Sequence, residues 1–121
     1  MSARPRTAYA RGAAFEREVK AVLEAVGYTV QRSAGSAGVY DLVAIKSVKR
    51  GEVLLIQCKK GGACPPAEWN RLWDLATAHG AVPIIAERPA RGALRLWWLR
   101  SPKGPTRGRN PWIAWEIGGA R

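Results

Sequence analysis

Asp41, Gln57 and Lys59 are the residues of this 121-residue chain whose types and spacing could do chemistry. Asp41 sits in an otherwise apolar run, Tyr40–Ile45, and Gln57 and Lys59 follow a second run that begins at Val53. Side chains two apart on a strand share a face, so Gln57 and Lys59 would stand together while Cys58 points away. Adjacent strands lie ~4.8 Å apart, so a hairpin register that levels Asp41 with Gln57 would let a carboxylate and an amide carbonyl share one cation. Such oxygen donors suit Mg²⁺ or Mn²⁺, which can neutralise the charge that develops when a phosphodiester is hydrolysed. Lys59 would orient the attacking water or stabilise the transition state, a contribution on the order of 2–4 kcal/mol. Taken singly, Asp41 reads as a turn cap and the other two as ordinary strand-end polars. Their combination, with a Ser/Gly loop over 33–38 just upstream, favours a metal-dependent nuclease site.

The charge balance points to the same substrate. Twenty Lys plus Arg stand against nine Asp plus Glu, a net charge of +11, and basic domains of this kind commonly bind nucleic acid. Two cysteines and one histidine are too few for a disulfide scaffold or a structural zinc site. No run approaches a membrane span, and the basic start lacks the apolar stretch of a secretory signal, so a cytoplasmic protein with no membrane partner is expected.

Periodicity supplies the elements that must position these groups. Residues 1–10 read as a flexible basic arm. Phe15, Val19, Val22 and Val26 recur at helical spacing over Arg11–Val26, with Gly27 as the stop. Strands follow at Tyr28–Gln31, Tyr40–Ile45 and Val53–Cys58, the last two joined by a turn around Lys49–Gly51. Their unbroken apolar runs indicate strands covered on both faces. Pro65 and Pro66 forbid a continuing strand, and Glu68–His79 reads as a second helix closed by Gly80. Val82–Glu87 and Leu94–Leu99 complete an α-β-β-β-α-β-β order, an α/β domain over 11–99. Residues 100–121 form a basic Pro/Gly-rich extension in which Pro111–Ile117 could add an edge strand or a dimer contact.

Glu16, beside Phe15 on the flank of the first helix, is a third candidate carboxylate. Helix geometry alone does not separate that role from an i,i+4 pair with Lys20. Arg4, Arg6 and Arg11 suit arms along duplex DNA, with a solvated tail as the alternative. Lys60 and Arg88, the latter expected near the second helix, are candidate phosphate contacts. The Trp69 and Trp73 stripe reads as core or dimer interface rather than a base-stacking platform, His79 as a helix C-terminal dipole partner and Cys58 as inert interior.

Several of these segments together resemble the archaeal-type Holliday junction resolvases of the PD-(D/E)XK nuclease superfamily. The similarity runs through Arg11–Val19 with Glu16, the serine loop Gly27–Ser36, the strand start at Asp41–Ala44, Gln57–Lys59 at the family's Glu-x-Lys position, Arg71–Leu75 and Gly80–Ala86. The resemblance implies a restriction-endonuclease-like mixed sheet flanked by helices. It also implies a homodimeric, Mg²⁺-dependent enzyme that cuts four-way DNA junctions with paired nicks. On that basis Glu16, Asp41 and Gln57 hold the metal and Lys59 assists the water. Ser33 or Ser36 acts at the scissile phosphate, and Arg17 and Arg32 contact DNA. The chain departs from the pattern at Gln57, whose amide can coordinate a cation but brings no negative charge and cannot act as a base. A different nuclease of the superfamily acting on duplex DNA, or a non-catalytic DNA-binding descendant, are the competing readings.

Overall fold

The computed structural model describes residues 8–33, 38–47, 51–60, 64–89, 92–102 and 112–114, with backbone alone at 8–10, 60 and 112–114. The first helix, α1 (Ala8–Ala25), begins three residues before the expected Arg11; Ala8 and Ala10 favour helix and continue it into the segment read as an arm. Phe15, Val19 and Leu23, four apart, are buried on one face. Val22 and Val26, expected in that stripe, are half-buried at its margin. Gly27 ends the helix at a φ of 101°, a conformation that disfavours any side chain, and its N–H reaches the Glu24 carbonyl at 3.1 Å.

Six strands follow: β1 (Thr29–Arg32), β2 (Leu42–Lys46), β3 (Glu52–Lys60), β4 (Val82–Arg88), β5 (Arg95–Leu99) and β6 (Trp112–Ala114). They form one sheet in chain order, antiparallel throughout except for the parallel pair β3 and β4. A parallel pair needs a crossover, and α2 (Pro66–Ala78) provides it. Pro65 is its extended N-cap and Pro66 its first residue, where a missing N–H costs nothing. The 100–121 extension contributes the edge strand β6; residues 1–7, 103–111 and 115–121 lie outside the described residues.

Alternation along the strands builds two cores. Even-numbered positions such as Leu42, Ala44, Leu54, Ile56, Ile84 and Ala86 pack with the α1 stripe. On the opposite face, Leu55 and Ile85 pack with Trp69, Leu72 and Ala76 of α2. Each such side chain contributes about 1.5–3 kcal/mol by leaving water. The sheet is therefore covered on both sides, as unbroken apolar runs require. The cross-strand pair Ile45 and Val53 is left exposed on the α2 side, at 51% and 36%. Trp69 is fully buried, with its indole N–H 3.0 Å from the Ser101 carbonyl, so it is core and cannot stack on bases.

Candidate active site

The hairpin register brings Asp41 level with Gln57. Leu42 faces Ile56 across β2 and β3, and one step outward puts Asp41 opposite Gln57. Three hydrogen bonds hold the aspartate there. Its N–H donates to the Ile56 carbonyl at 2.7 Å, its carbonyl accepts from Ser33 N–H at 2.8 Å, and its Oδ2 accepts from Cys58 N–H at 2.7 Å. Asp41 is thus clamped at once from Ser33, the residue after β1, and from β3. Gly38 makes room for the loop that leads into it: a Cβ there would lie 2.8 Å from Ser33 Oγ and 3.0 Å from the Tyr40 carbonyl.

Burial pushes the Asp41 carboxyl above its ordinary value, and the nearby Glu68 charge pushes the same way. The Cys58 N–H bond and the positive charges of Lys59 and Arg32 oppose this. A half-buried carboxylate whose charged form is penalised is a group that a cation would relieve of that cost. Gln57 tells the same story. Its Oε1 is buried, and among the described residues it has no hydrogen-bond partner. Buried polar atoms are satisfied in the great majority of cases, so an orphaned carbonyl oxygen beside a clamped carboxylate fits an oxygen-seeking divalent cation. Mg²⁺ is typically bound through one or two carboxylates and keeps several waters; Asp41 and Gln57 are the oxygens here that could hold such a cation.

Lys59 lies on the same face of β3 as Gln57, toward α2, and its Nζ is 2.6 Å from Glu68 Oε2. Glu68 belongs to the first turn of α2. Sequence reasoning placed it in a helix but gave it no role. The available signal was an acid in the first turn of the helix that follows the Gln-x-Lys strand.

Glu16 takes the other side. Its Oε1 accepts from Arg32 Nε at 3.3 Å on the α1 face, and the i,i+4 ion pair of the helix is Lys20 with Glu24 instead. Asp41 and Glu16 both raise the half-buried Cys58 thiol, after burial itself, which sets Glu16 at the same end of the sheet. Among the described residues, however, no three of His, Cys, Asp and Glu gather closely enough to hold a metal. The groups brought together are Asp41, Gln57, Lys59 and Glu68, with Glu16 and Arg32 paired across the sheet.

Other candidates divide similarly. Arg88 turns to α1 rather than the second helix, because even positions of β4 face that way. It is ion-paired with Glu18, donates to the Gly92 carbonyl and lies 6.0 Å from the Phe15 ring centre. Arg11 and Arg17 are exposed on α1. Ser33 directly follows β1; Ser36 and the Lys60 side chain lie outside the described residues, as do Arg4 and Arg6. His79 is the C-cap of α2.

Comparison with known proteins adds to this geometry. Over 82 residues the chain is 52% identical to the crossover junction endodeoxyribonuclease Hjc of Methanocaldococcus jannaschii, covering 64% of this chain and 59% of that protein. The chain therefore matches little more than half of that relative's length. The structure of Archaeoglobus fulgidus Hjc, a Holliday junction resolvase, superposes with a TM-score of 0.58 at 29% identity, covering 71% of this chain and 70% of that one. The sheet and its flanking helices accordingly have the expected restriction-endonuclease-like α/β fold. The family described as archaeal Holliday junction resolvase matches residues 7–102, and the chain belongs to that family.

Proposed function

We propose that this chain is a structure-specific endodeoxyribonuclease that resolves four-way DNA junctions by hydrolysis dependent on Mg²⁺ or Mn²⁺. The observation that carries the reading is the orphaned Gln57 Oε1 beside the clamped Asp41 and the ammonium of Lys59, in a chain of the resolvase family.

Asp41 and Gln57 would hold the cation, which when bound supplies charge neutralisation and a more acidic water. The chain's own groups do the rest. The Cys58 N–H orients the Asp41 carboxylate. The Lys59 ammonium would steer a water or a phosphate oxygen. Glu16, the third ligand implied by the family pattern, would have to exchange Arg32 for the cation; left in its present pair, it orients Arg32 for a DNA phosphate. Ser33, Ser36, Arg11, Arg17, Lys60 and Arg88 are the proposed DNA contacts. A homodimer with two such sites would make paired nicks, and the protein is expected to work in the cytoplasm. Among the described residues no helix is long and apolar enough to cross a membrane.

Incubation with a synthetic four-way junction and a matching linear duplex, with Mg²⁺ and with EDTA, tests the proposal. Paired nicks in the junction alone, abolished by EDTA, Asp41→Asn and Lys59→Ala, are expected. Equal cutting of the duplex would favour another nuclease of the superfamily, and tight binding without cutting under any divalent cation would favour a binding-only descendant.

A further inference from the structure

Position 57 is neutral, so a cation held by Asp41 and Gln57 meets one carboxylate charge, with the Lys59 ammonium close by. Of the positive charges that Asp41 senses, Arg32 is already paired with Glu16, which leaves the Lys59 ammonium to offset the single Asp41 charge. A divalent cation would enter such a surrounding at a penalty. Glu68 changes this balance. It sits nine residues after Lys59, on a different element, with its carboxylate 2.6 Å from the ammonium. Both side chains are largely withdrawn from solvent, at 21% and 33% exposed, so the pair is screened less than a surface ion pair. The Glu68 charge also raises the Asp41 carboxyl.

Resting on the metal-dependent reading above, we propose that Glu68 is a positioning residue that supplies the carboxylate charge missing at Gln57. By its bond to Lys59 it offsets that ammonium, fixes it on the Gln57 face and makes the site negative enough to take a divalent cation. The carboxylate charge then stands on the first turn of α2 rather than at position 57 of β3. Glu87 is the rival acid, since it is level with Lys59 in the parallel register. Its Oε1 instead accepts from the Trp97 indole N–H at 3.4 Å, and it is not among the groups acting on Asp41.

Calorimetric titration with Mn²⁺ in the absence of DNA reads this directly, on the wild type and on Glu68→Gln, Gln57→Glu, Gln57→Glu/Glu68→Gln and Glu87→Gln. Glu68→Gln should weaken Mn²⁺ binding by roughly 10–100-fold, and the double variant should recover most of the loss. Glu87→Gln should bind as the wild type does. Unchanged affinity in Glu68→Gln, an equal loss in Glu87→Gln, or a double variant as weak as Glu68→Gln would overturn the proposal. Should Glu68→Gln not fold, the double variant compared with Gln57→Glu gives the same difference, and equal affinities there overturn it. Wild-type protein that binds Mn²⁺ but fails to cut junctions would count against the proposed activity and leave this inference standing. Wild-type protein that binds no Mn²⁺ would remove both.

Discussion

Replacing Gln57 with methionine should make the metal-free protein more stable while destroying its response to metal. The side chain keeps its length and lack of branching, so the packing of β3 between β2 and β4 changes little. What disappears is a buried carbonyl oxygen with no partner among the described residues. Leaving such a group unpaired costs about 1–3 kcal/mol; because Gln57 as a residue is half-buried, the lower end, about 1 kcal/mol, applies. In a chain of this size that corresponds to a rise of roughly 4 °C in Tm. Thermal unfolding followed by circular dichroism, in EDTA and in saturating Mn²⁺, provides the measurement. The wild type should gain stability from Mn²⁺ by mass action, and the variant should gain little and cut no junction. A variant less stable than wild type in EDTA would show that Oε1 is already satisfied. One whose Tm still responds fully to Mn²⁺ would show that the amide is no ligand. Either result refutes the reasoning.

Asp41→Asn should abolish cleavage and leave the metal-free protein at least as stable as wild type at neutral pH. The Asp41 carboxyl is raised in the folded state, so between the unfolded and folded values the native form holds more protons. Its contribution to stability is therefore full below the unfolded value and falls as pH rises through the folded one; urea titrations of both proteins across the acid range should show that slope in the wild type only. Gly38→Ala should cut turnover by about tenfold or more, because displacing the loop before Asp41 misaligns the site; single-turnover cleavage measures it, and an unchanged rate would show that Ser33 yields without cost. Arg88→Ala should lower stability by about 1 kcal/mol through loss of the Glu18 pair and the Phe15 contact. Melting curves beside junction-affinity measurements separate that from a role in DNA binding.

Asp41, Gln57 and Lys59 of the candidate site were legible in the chain because each rests on a local pattern, whereas Glu68 was not. Alternation on a strand puts Gln57 and Lys59 on one face and Cys58 on the other. Unbroken apolar runs require strands covered twice, and Gly27, Pro65 and Gly80 punctuate the elements by backbone chemistry alone. Helix and strand order followed from the same periods, with boundaries off by one to three residues where Ala8 or Lys60 could extend an element without conflict.

Tertiary structure decided which of these groups meet. The hairpin register sets Asp41 against Gln57, and the parallel pairing of β3 with β4 obliges α2 to cross the sheet so that Glu68 reaches Lys59. Likewise, Arg88 finds Glu18 seventy residues away, and Glu16 finds Arg32 rather than Lys20. Such contacts depend on register and crossover. These are fixed by the packing of both sheet faces together, and no local run of sequence encodes them.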